Sequence, residues 1–234
     1  MAGRATSPGH GVSSRERPRA DHPGRRLDNP PLSVLHPAWL KKITHQKPNN
    51  MLTNERTTRS ERLLLVANEM MTAARTAPKG KGIDILEVAL ATGETIESLS
   101  NSMMEYGART ALKFIILDAL SILHAEAIVL IGTKQQAHGL NCGYCGFESC
   151  EAKNQFPDVP CSLNTVDVGI AIGSACAVAA DHRVDNRVMF SVGRVALELD
   201  MIPGCNNIYG IPISCSSKNP FFDRVVPLPT KQGV

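Results

Sequence analysis

Aromatic residues are scarce in this sequence, and the short motifs of the common hydrolases are absent. Phe, Tyr and Trp make up 4% of the 234 residues, and there is one Trp. No G-x-S-x-G elbow, H-E-x-x-H helix or paired-carboxylate signature occurs, which removes the basis for the hydrolase classes that use them. The basic turn at 79–82 lacks the Gly-Lys-Ser/Thr of a nucleotide-binding P-loop.

Neither charge nor hydropathy predicts binding to nucleic acid or to a membrane. The net charge is +3, but residues 1–50 hold nine Lys and Arg against three Asp and Glu, which leaves sixteen against nineteen in the remainder. No basic patch is interleaved with aromatic residues, the pattern typical of nucleic-acid surfaces. The apolar stretch 166–180 is too short and too interrupted to cross a bilayer, so we expect a buried helix there.

The first fifty residues differ in composition from the rest of the chain. They contain seven of the fifteen prolines, four glycines and repeated arginines. Such a segment buries too little apolar surface to offset its ordering entropy. We therefore predict a disordered extension at 1–50 and a single domain at 51–234. An arginine-rich targeting arm is the alternative, although prolines interrupt the amphipathic pattern of a transit peptide.

Four cysteines fall within twenty residues, with the spacing C-x2-C-x4-C-x10-C. Glycine directly follows the first two, and it allows the tight turns that bring backbone N–H groups toward sulfur. A 4Fe–4S cluster takes four cysteine ligands. The spacing predicts one such cluster, in a loop spanning 138–162, with these ligands: Cys142, Cys145, Cys150 and Cys161.

Two other interpretations of the same thiols stay open. Structural zinc also takes four thiolates, usually as two separated C-x2-4-C pairs; Cys142 and Cys145 fit the first pair, but Cys150 and Cys161 do not form a second. Free or redox-active thiols are the second alternative. A disulfide framework is disfavoured, because the seven cysteines are odd in number and no secretory signal is recognised. We expect a cytoplasmic protein.

The cysteine run and several flanking segments resemble a known family. Residues 142–152 are similar to the C-G-x-C-G-x-x-x-C segment of four-cysteine 4Fe–4S domains, including those of corrinoid iron–sulfur proteins. The whole of 51–234 resembles the DUF2148 family of ferredoxin-domain-containing proteins. The segments that carry this resemblance are 73–84, 127–133, 142–152, 210–214 and 218–224. It implies the same four cysteine ligands and names no reaction.

A weaker resemblance points to flavin nitroreductases. Those enzymes carry an A-A-R-x-A-P-S turn, similar to residues 73–79, and a D-x-G-x-A helix, similar to 167–171. The resemblance implies an FMN whose phosphate is held by basic groups, namely Arg75, Lys79 and Lys81. Two departures weaken it: the paired-arginine phosphate motif is missing, and Lys79 replaces the usual Ser. By the same analogy we expect a homodimer.

Periodicity predicts a sheet covered by helices, of the α/β or α+β class and nitroreductase-like, with the cysteine loop projecting from one end. We predict helices at 60–74, 94–106 and 186–199 and strands at 127–132 and 208–213. Ser60 is the expected N-cap of the first helix and Gly107 the cap of the second. Residues 114–120 fit either a strand or a helix.

The remaining cysteines and two glycines favour structural interpretations. Cys176 lies in the small-residue stretch and is interpreted as a packed core thiol. Gly169 and Gly173 in that stretch would let another backbone approach closely. Cys205 and Cys215 flank the last predicted strand, and we interpret them as free thiols rather than as a redox pair.

The sequence leads to three functional hypotheses. The first is a one-cluster redox protein that exchanges electrons with a partner protein or a small-molecule acceptor. The second is a flavin-linked oxidoreductase in which the cluster feeds an FMN. The third is a zinc-stapled structural or interaction protein. His138, four residues before Cys142, could cap a sulfur or replace a ligand, but with four cysteines available we interpret it as a solvated loop histidine.

Overall fold

The structure, a computed structural model, describes residues 52–222, which form a four-stranded antiparallel sheet with helices on both faces. The strand order is β1–β2–β4–β3, so the fold belongs to the α+β class. The strands are β1 Leu86–Thr92, β2 Ala127–Lys134, β3 Asp185–Asn186 and β4 Cys205–Ser214. The expected helix-covered sheet is confirmed. The predicted extension at 1–50 lies outside the described residues.

The helices of the described region form two layers, one on each face of the sheet. They are α1 Glu55–Thr76, α2 Glu94–Thr110, α3 Lys113–Ile122, α4 Cys150–Asn154, α5 Ser162–Asp181 and α6 Phe190–Glu198. Helices α1 and α5 pack against one face of the sheet. Helices α2, α3 and α6 cover the other face. Helix α4 is a single short turn within the cysteine segment.

Strand β2 is buried on both faces, which explains its uninterrupted apolar sequence. Val129 and Ile131 join the core under α1 and α5, whereas Ile128 and Leu130 join the core under α2, α3 and α6. Successive side chains of a strand point to opposite faces, so a strand between two helical layers needs apolar residues at every position. Only its last residue, which is charged, is exposed.

Helix α6 packs so closely on β4 that it requires glycine at the contact. A Cβ at Gly193 would lie 1.7 Å from the carbonyl oxygen of Ile208. The close backbone approach therefore occurs in α6 and not in α5, where the sequence predicted it. A Cβ at Gly169 or Gly173 would meet no atom within 4 Å.

Several predicted boundaries were wrong by part of a turn or more. Helix α1 begins earlier than predicted, and Asn54 rather than Ser60 caps it by accepting from the N–H of Arg56. Helix α2 continues through Gly107, and Ala111 ends it in a left-handed conformation. The segment predicted as a helix from residue 186 begins with the bridge strand β3, and α6 starts at Phe190. The ambiguous run 114–120 lies in α3.

Helix α5 differs from its expectation in two respects. It has 20 residues and is long and apolar enough, by length and composition alone, to cross a membrane. In this fold it instead packs along α1 and the sheet through one face, which includes Val168, Ala171 and Ala175. Its other face exposes Val166 and Ile170, so the helix is half-buried rather than buried.

Candidate metal centre

The four cysteines predicted as ligands lie in the segment that connects β2 to α5. Cys142 is exposed and Cys145 half-buried, and both belong to the irregular part of the segment. Cys150 is the first residue of α4, and buried Cys161 is the N-cap residue of α5. Two of the thiols are thus fixed to helix ends, and two are carried by turns.

The turns around the first two cysteines use the left-handed backbone region. Gly143 has a φ of 73° and Gly146 a φ of 83°, and each directly follows a cysteine. The N–H of Gly146 donates to the carbonyl oxygen of Gly143 at 2.9 Å, which closes a tight turn around Cys145. Such φ values suit glycine. The structure therefore uses these glycines for bending, as the sequence predicted.

Asn141 links the beginning of the cysteine run to its third cysteine. The N–H of Cys150 donates to Oδ1 of Asn141 at 2.8 Å, and the N–H of Asn141 donates to the Cys150 sulfur at 3.3 Å. Asn141 adopts a φ of 48°, which asparagine tolerates better than most residues. This reciprocal pair holds Cys150 beside the residue that precedes Cys142. N–H donation to sulfur is a feature that stabilises thiolates.

Polar side chains from α4 and α5 hold the chain between β2 and the cysteines. Nζ of Lys153 donates to the carbonyl oxygen of Gln135 at 2.9 Å. Nδ2 of Asn164 donates to the carbonyl oxygen of Gln136 at 2.7 Å. The N–H of Ala137 donates to the side chain of Asn154 at 3.2 Å. The helices that carry Cys150 and Cys161 thereby fix the approach to Cys142.

His138 is buried, so its interpretation as a solvated loop residue was wrong. Its side chain is fully buried, and Nε2 lies 2.7 Å from Oδ2 of Asp167 on α5. Asp167 also accepts the N–H of Gly80, with both carboxylate oxygens at 3.1 Å. A Cβ at Gly80 would lie 3.1 Å from the His138 ring. This three-residue contact joins the cysteine segment to the basic turn at 79–82.

The four thiols fit a metal cluster by chemical type, but they do not yet converge on one point. Among residues 52–222, no three His, Cys, Asp or Glu side chains already stand within reach of one metal ion. The thiols are nevertheless four soft ligands in one segment, which is the chemistry that iron–sulfur clusters and zinc select. Thiols lose their protons when they bind metal, and binding commonly completes the fold of such a site. The four side chains therefore fit by type and by place in the chain, and they must converge on loading.

Two of the three basic residues predicted for FMN phosphate have structural partners. Arg75 donates to Oδ2 of Asp84 at 2.8 Å and to the carbonyl oxygen of Leu86 at 2.6 Å. Lys79 donates to three carbonyl oxygens at the end of α1, including that of Ala77 at 2.8 Å. Lys81 is exposed, has a φ of 54° and makes no ion pair with a described residue.

The Arg75 contacts also affect the ionisation of Asp84. Burial by itself raises the pKa of this carboxyl. The hydrogen bonds that it accepts from Arg75 and from the N–H of Leu86 outweigh burial and hold the pKa below its usual value. Both side chains are exposed by more than a third, at 43% and 37%, so solvent screens the pair. The arrangement ties the end of α1 to the start of β1.

The cysteines outside the segment have the properties of structural thiols. Burial raises the pKa of the Cys205 thiol to about 11, with a smaller contribution from the Glu87 carboxylate. Burial also raises the pKa of Cys176, which packs against the core as the sequence predicted. Cys205 begins the ten-residue strand β4 and Cys215 follows it, so about 30 Å of extended chain separates them. That distance excludes a disulfide between Cys205 and Cys215.

Sequence comparison places the chain in a family. The family model described as uncharacterized protein containing a ferredoxin domain (DUF2148) matches residues 157–224. An uncharacterized protein from Archaeoglobus fulgidus is 39% identical over 182 residues, which cover 74% of this chain and 98% of that protein. The chain belongs to this ferredoxin-domain family, as the cysteine run and its flanking segments predicted. Asp223 and Arg224, part of the family resemblance, lie outside the described residues.

Solved structures similar to this chain include nitroreductases and flavoproteins. A nitroreductase with bound FMN from Desulfitobacterium hafniense aligns with a TM-score of 0.46 and 12% identity, over 73% of this chain and 81% of that one. Nitroreductase CinD from Lactococcus lactis, in complex with chloramphenicol, aligns with a TM-score of 0.45 and 13% identity, over 78% of this chain and 85% of that one. A BluB-like flavoprotein from Clostridium difficile aligns with a TM-score of 0.44 and 15% identity, over 79% of this chain and 88% of that one.

Proposed function

We propose that this protein is an iron–sulfur redox protein that binds one 4Fe–4S cluster through Cys142, Cys145, Cys150 and Cys161. The observation that carries the proposal is the placement of all four thiols in one segment between β2 and α5. Membership of a ferredoxin-domain family supports it independently. Such a cluster, when bound, accepts or donates one electron at a time.

Each part of the segment has a separate role in this proposal. The glycine turns carry exposed Cys142 and half-buried Cys145, which would supply two of the four ligands. The helix ends fix Cys150 and Cys161. Asn141 donates its N–H to the Cys150 sulfur and accepts the N–H of Cys150, which positions this thiol. Four ligands on one segment allow a cluster without a second protein domain.

A protein that transfers electrons needs a partner with which to exchange them. An exposed Cys142 at the outer edge of the segment would leave a cluster accessible to a redox partner protein or to a small-molecule acceptor. We propose a cytoplasmic location, where thiols stay reduced until they bind metal. We also keep the homodimer as a proposal, which the sedimentation of the loaded protein tests directly.

The decisive experiment is anaerobic reconstitution followed by analysis of iron, sulfide and zinc. We expect about four irons and four sulfides per chain for the wild type. Cys150→Ser should lose most of the iron, because it removes one of the four ligands. Cys205→Ser is the matched control, since that thiol is buried in β4 and should leave the iron content unchanged. About one zinc per chain with no iron would instead support the zinc-stapled protein.

A flavin-linked oxidoreductase remains the second proposed function, and Lys81 is the residue that favours it. Lys81 is an exposed cation in a glycine-flanked turn, and it makes no ion pair with any described residue. Arg75 and Lys79 would have to leave their present partners to hold a phosphate. FMN titration with fluorescence detection tests the proposal. Binding that Lys81→Ala weakens would support it, and the absence of binding would refute it.

A further inference from the structure

Lys153 is a fully buried cation within an otherwise exposed part of the molecule. Its relative exposure is 0%, and it is among the largest completely buried side chains of the described region. Its neighbours Glu151 and Asn154 on α4 are exposed. Lysine is almost never fully buried unless its charge is paired. The burial therefore calls for a specific partner.

The described side chains do not supply a counter-charge for Lys153. Its Nζ donates one hydrogen bond, to the carbonyl oxygen of Gln135 at 2.9 Å. No Asp or Glu among residues 52–222 forms an ion pair with it. Burying a cation beside a neutral acceptor alone is unfavourable, because the ion loses its hydration.

Holding the backbone at this place does not require a positive charge. Asn164 donates to the carbonyl oxygens of Lys134 and Gln136, the residues on either side of Gln135, and it does so with a neutral amide. A glutamine at position 153 would provide a comparable donor. The charge of Lys153 thus has no function that these hydrogen bonds explain.

In the chain, Lys153 lies between the third and the fourth cysteine of the predicted ligand set. It lies three residues after Cys150 on α4, a spacing at which helical side chains are neighbours on one face. Its acceptor Gln135 belongs to the segment that leads to Cys142. A cluster held by four thiolates carries a net negative charge, which increases by one when the cluster is reduced.

We propose that Lys153 is the buried counter-charge of the cluster and raises its reduction potential. This inference rests on the proposed function. On reduction the cluster takes one electron from an external reductant, and no bond or proton is transferred. A fixed positive charge nearby would stabilise the more negative, reduced form most, because opposite charges attract. Lys153 would act through this charge and not as a ligand.

The test is a redox titration of the reconstituted protein in four forms. Lys153→Gln removes the charge but keeps a hydrogen-bond donor, whereas Lys153→Arg keeps the charge. Lys113→Gln removes an exposed charge from α3, which belongs to the helical layer that does not include α5, and serves as the control. We expect Lys153→Gln to disfavour reduction about tenfold, which corresponds to about 59 mV for one electron. Lys153→Arg and Lys113→Gln should stay close to the wild type.

Each other outcome has a defined meaning. An unchanged or higher potential in Lys153→Gln, or an equal fall in Lys153→Arg, would overturn the inference and leave the proposed function intact. A wild type that binds no iron would overturn both. If Lys153→Gln fails to retain iron, retention by Lys153→Arg supports the requirement for charge. Loss of iron in both variants, with folded apoproteins by circular dichroism, would assign Lys153 a structural role and reject the inference.

Discussion

The sheet with its two helical layers and the segment that follows strand β2 are held by different interactions. The strand is buried between two helical layers through apolar side chains such as Ile128 and Val129. The segment from Gln135 to Ser149 is mostly exposed and is held by hydrogen bonds from α4 and α5. The apolar core is stabilised by complementary packing of side chains, whereas the segment depends on individual hydrogen-bond donors and acceptors. Substitutions should therefore affect stability in the first region, and metal content or thiol reactivity in the second.

The largest expected effect on the packed region comes from Gly193. Gly193→Ala places a Cβ at 1.7 Å from the carbonyl oxygen of Ile208, so α6 must move away from β4. We expect a loss of about 3 kcal/mol or more in the free energy of unfolding, measured by urea denaturation.

The matched control for that substitution is Gly173→Ala in α5. A Cβ there meets no atom within 4 Å, and alanine has the higher helix propensity. It should stabilise the protein by about 0.5–1 kcal/mol. Equal losses in the two variants would contradict the packing that we describe for α6.

The contact between the two regions is tested at Asp167. Asp167→Ala leaves the buried side chain of His138 and the half-buried N–H of Gly80 without their acceptor. We expect a loss of about 3 kcal/mol in urea denaturation, because unsatisfied buried donors are costly. Asp181→Ala, an exposed position at the end of the same helix, should change stability by less than about 0.5 kcal/mol. A neutral Asp167→Ala variant would show that the contact does not join the regions.

Thiol alkylation separates the two regions without any substitution. In the metal-free protein at pH 8, iodoacetamide should modify exposed Cys142 first and buried Cys205 last, as followed by peptide mass spectrometry. The pKa of Cys205 is raised to about 11, so its thiol stays protonated at pH 8 and becomes reactive only as the pH approaches that value. Rapid modification of Cys205 in the folded protein at pH 8 would contradict its burial in β4.

The smallest predicted effect concerns Arg75 and Asp84. Their interaction is half-exposed, so Arg75→Ala should cost about 1 kcal/mol at neutral pH, part of it through the bond to Leu86. The pKa of Asp84 is lower in the folded state than in the unfolded chain. Its contribution is therefore complete above the unfolded pKa and is lost as the pH falls through the lowered folded value. Urea titrations of the wild type and Asp84→Asn at pH 7 and pH 3 should show a difference that shrinks at low pH.

Most of the helices and the central strand were predictable, because the spacing of apolar residues in the sequence matches the residues that are buried in the structure. The run 127–132 is apolar at every position and proved to be β2, which lies between two cores. Strand β1 was not predicted, since it is an edge strand with an intermediate burial pattern at several positions. Boundaries failed where a local cap decided them, as Asn54 does at the start of α1.

The candidate site was predictable as four thiols in one segment, whose role as ligands stays a prediction, but not as a set of contacts. Cysteine spacing alone pointed to the four thiols. The burial of His138 and Lys153 was missed, because their partners Asp167 and Gln135 are defined by tertiary structure. One signal was available in the sequence: Asn164 and Asp167 are polar residues at the start of a stretch that is otherwise small and apolar. Polar residues in such a stretch are usually buried with a partner.

Electron paramagnetic resonance of the reconstituted, dithionite-reduced protein tests the central claim most directly. A single 4Fe–4S cluster predicts a signal of about one unpaired electron per chain, present in the wild type and in Cys205→Ser and lost in Cys150→Ser. Reduced protein that gives no such signal while holding about one zinc per chain would contradict the account.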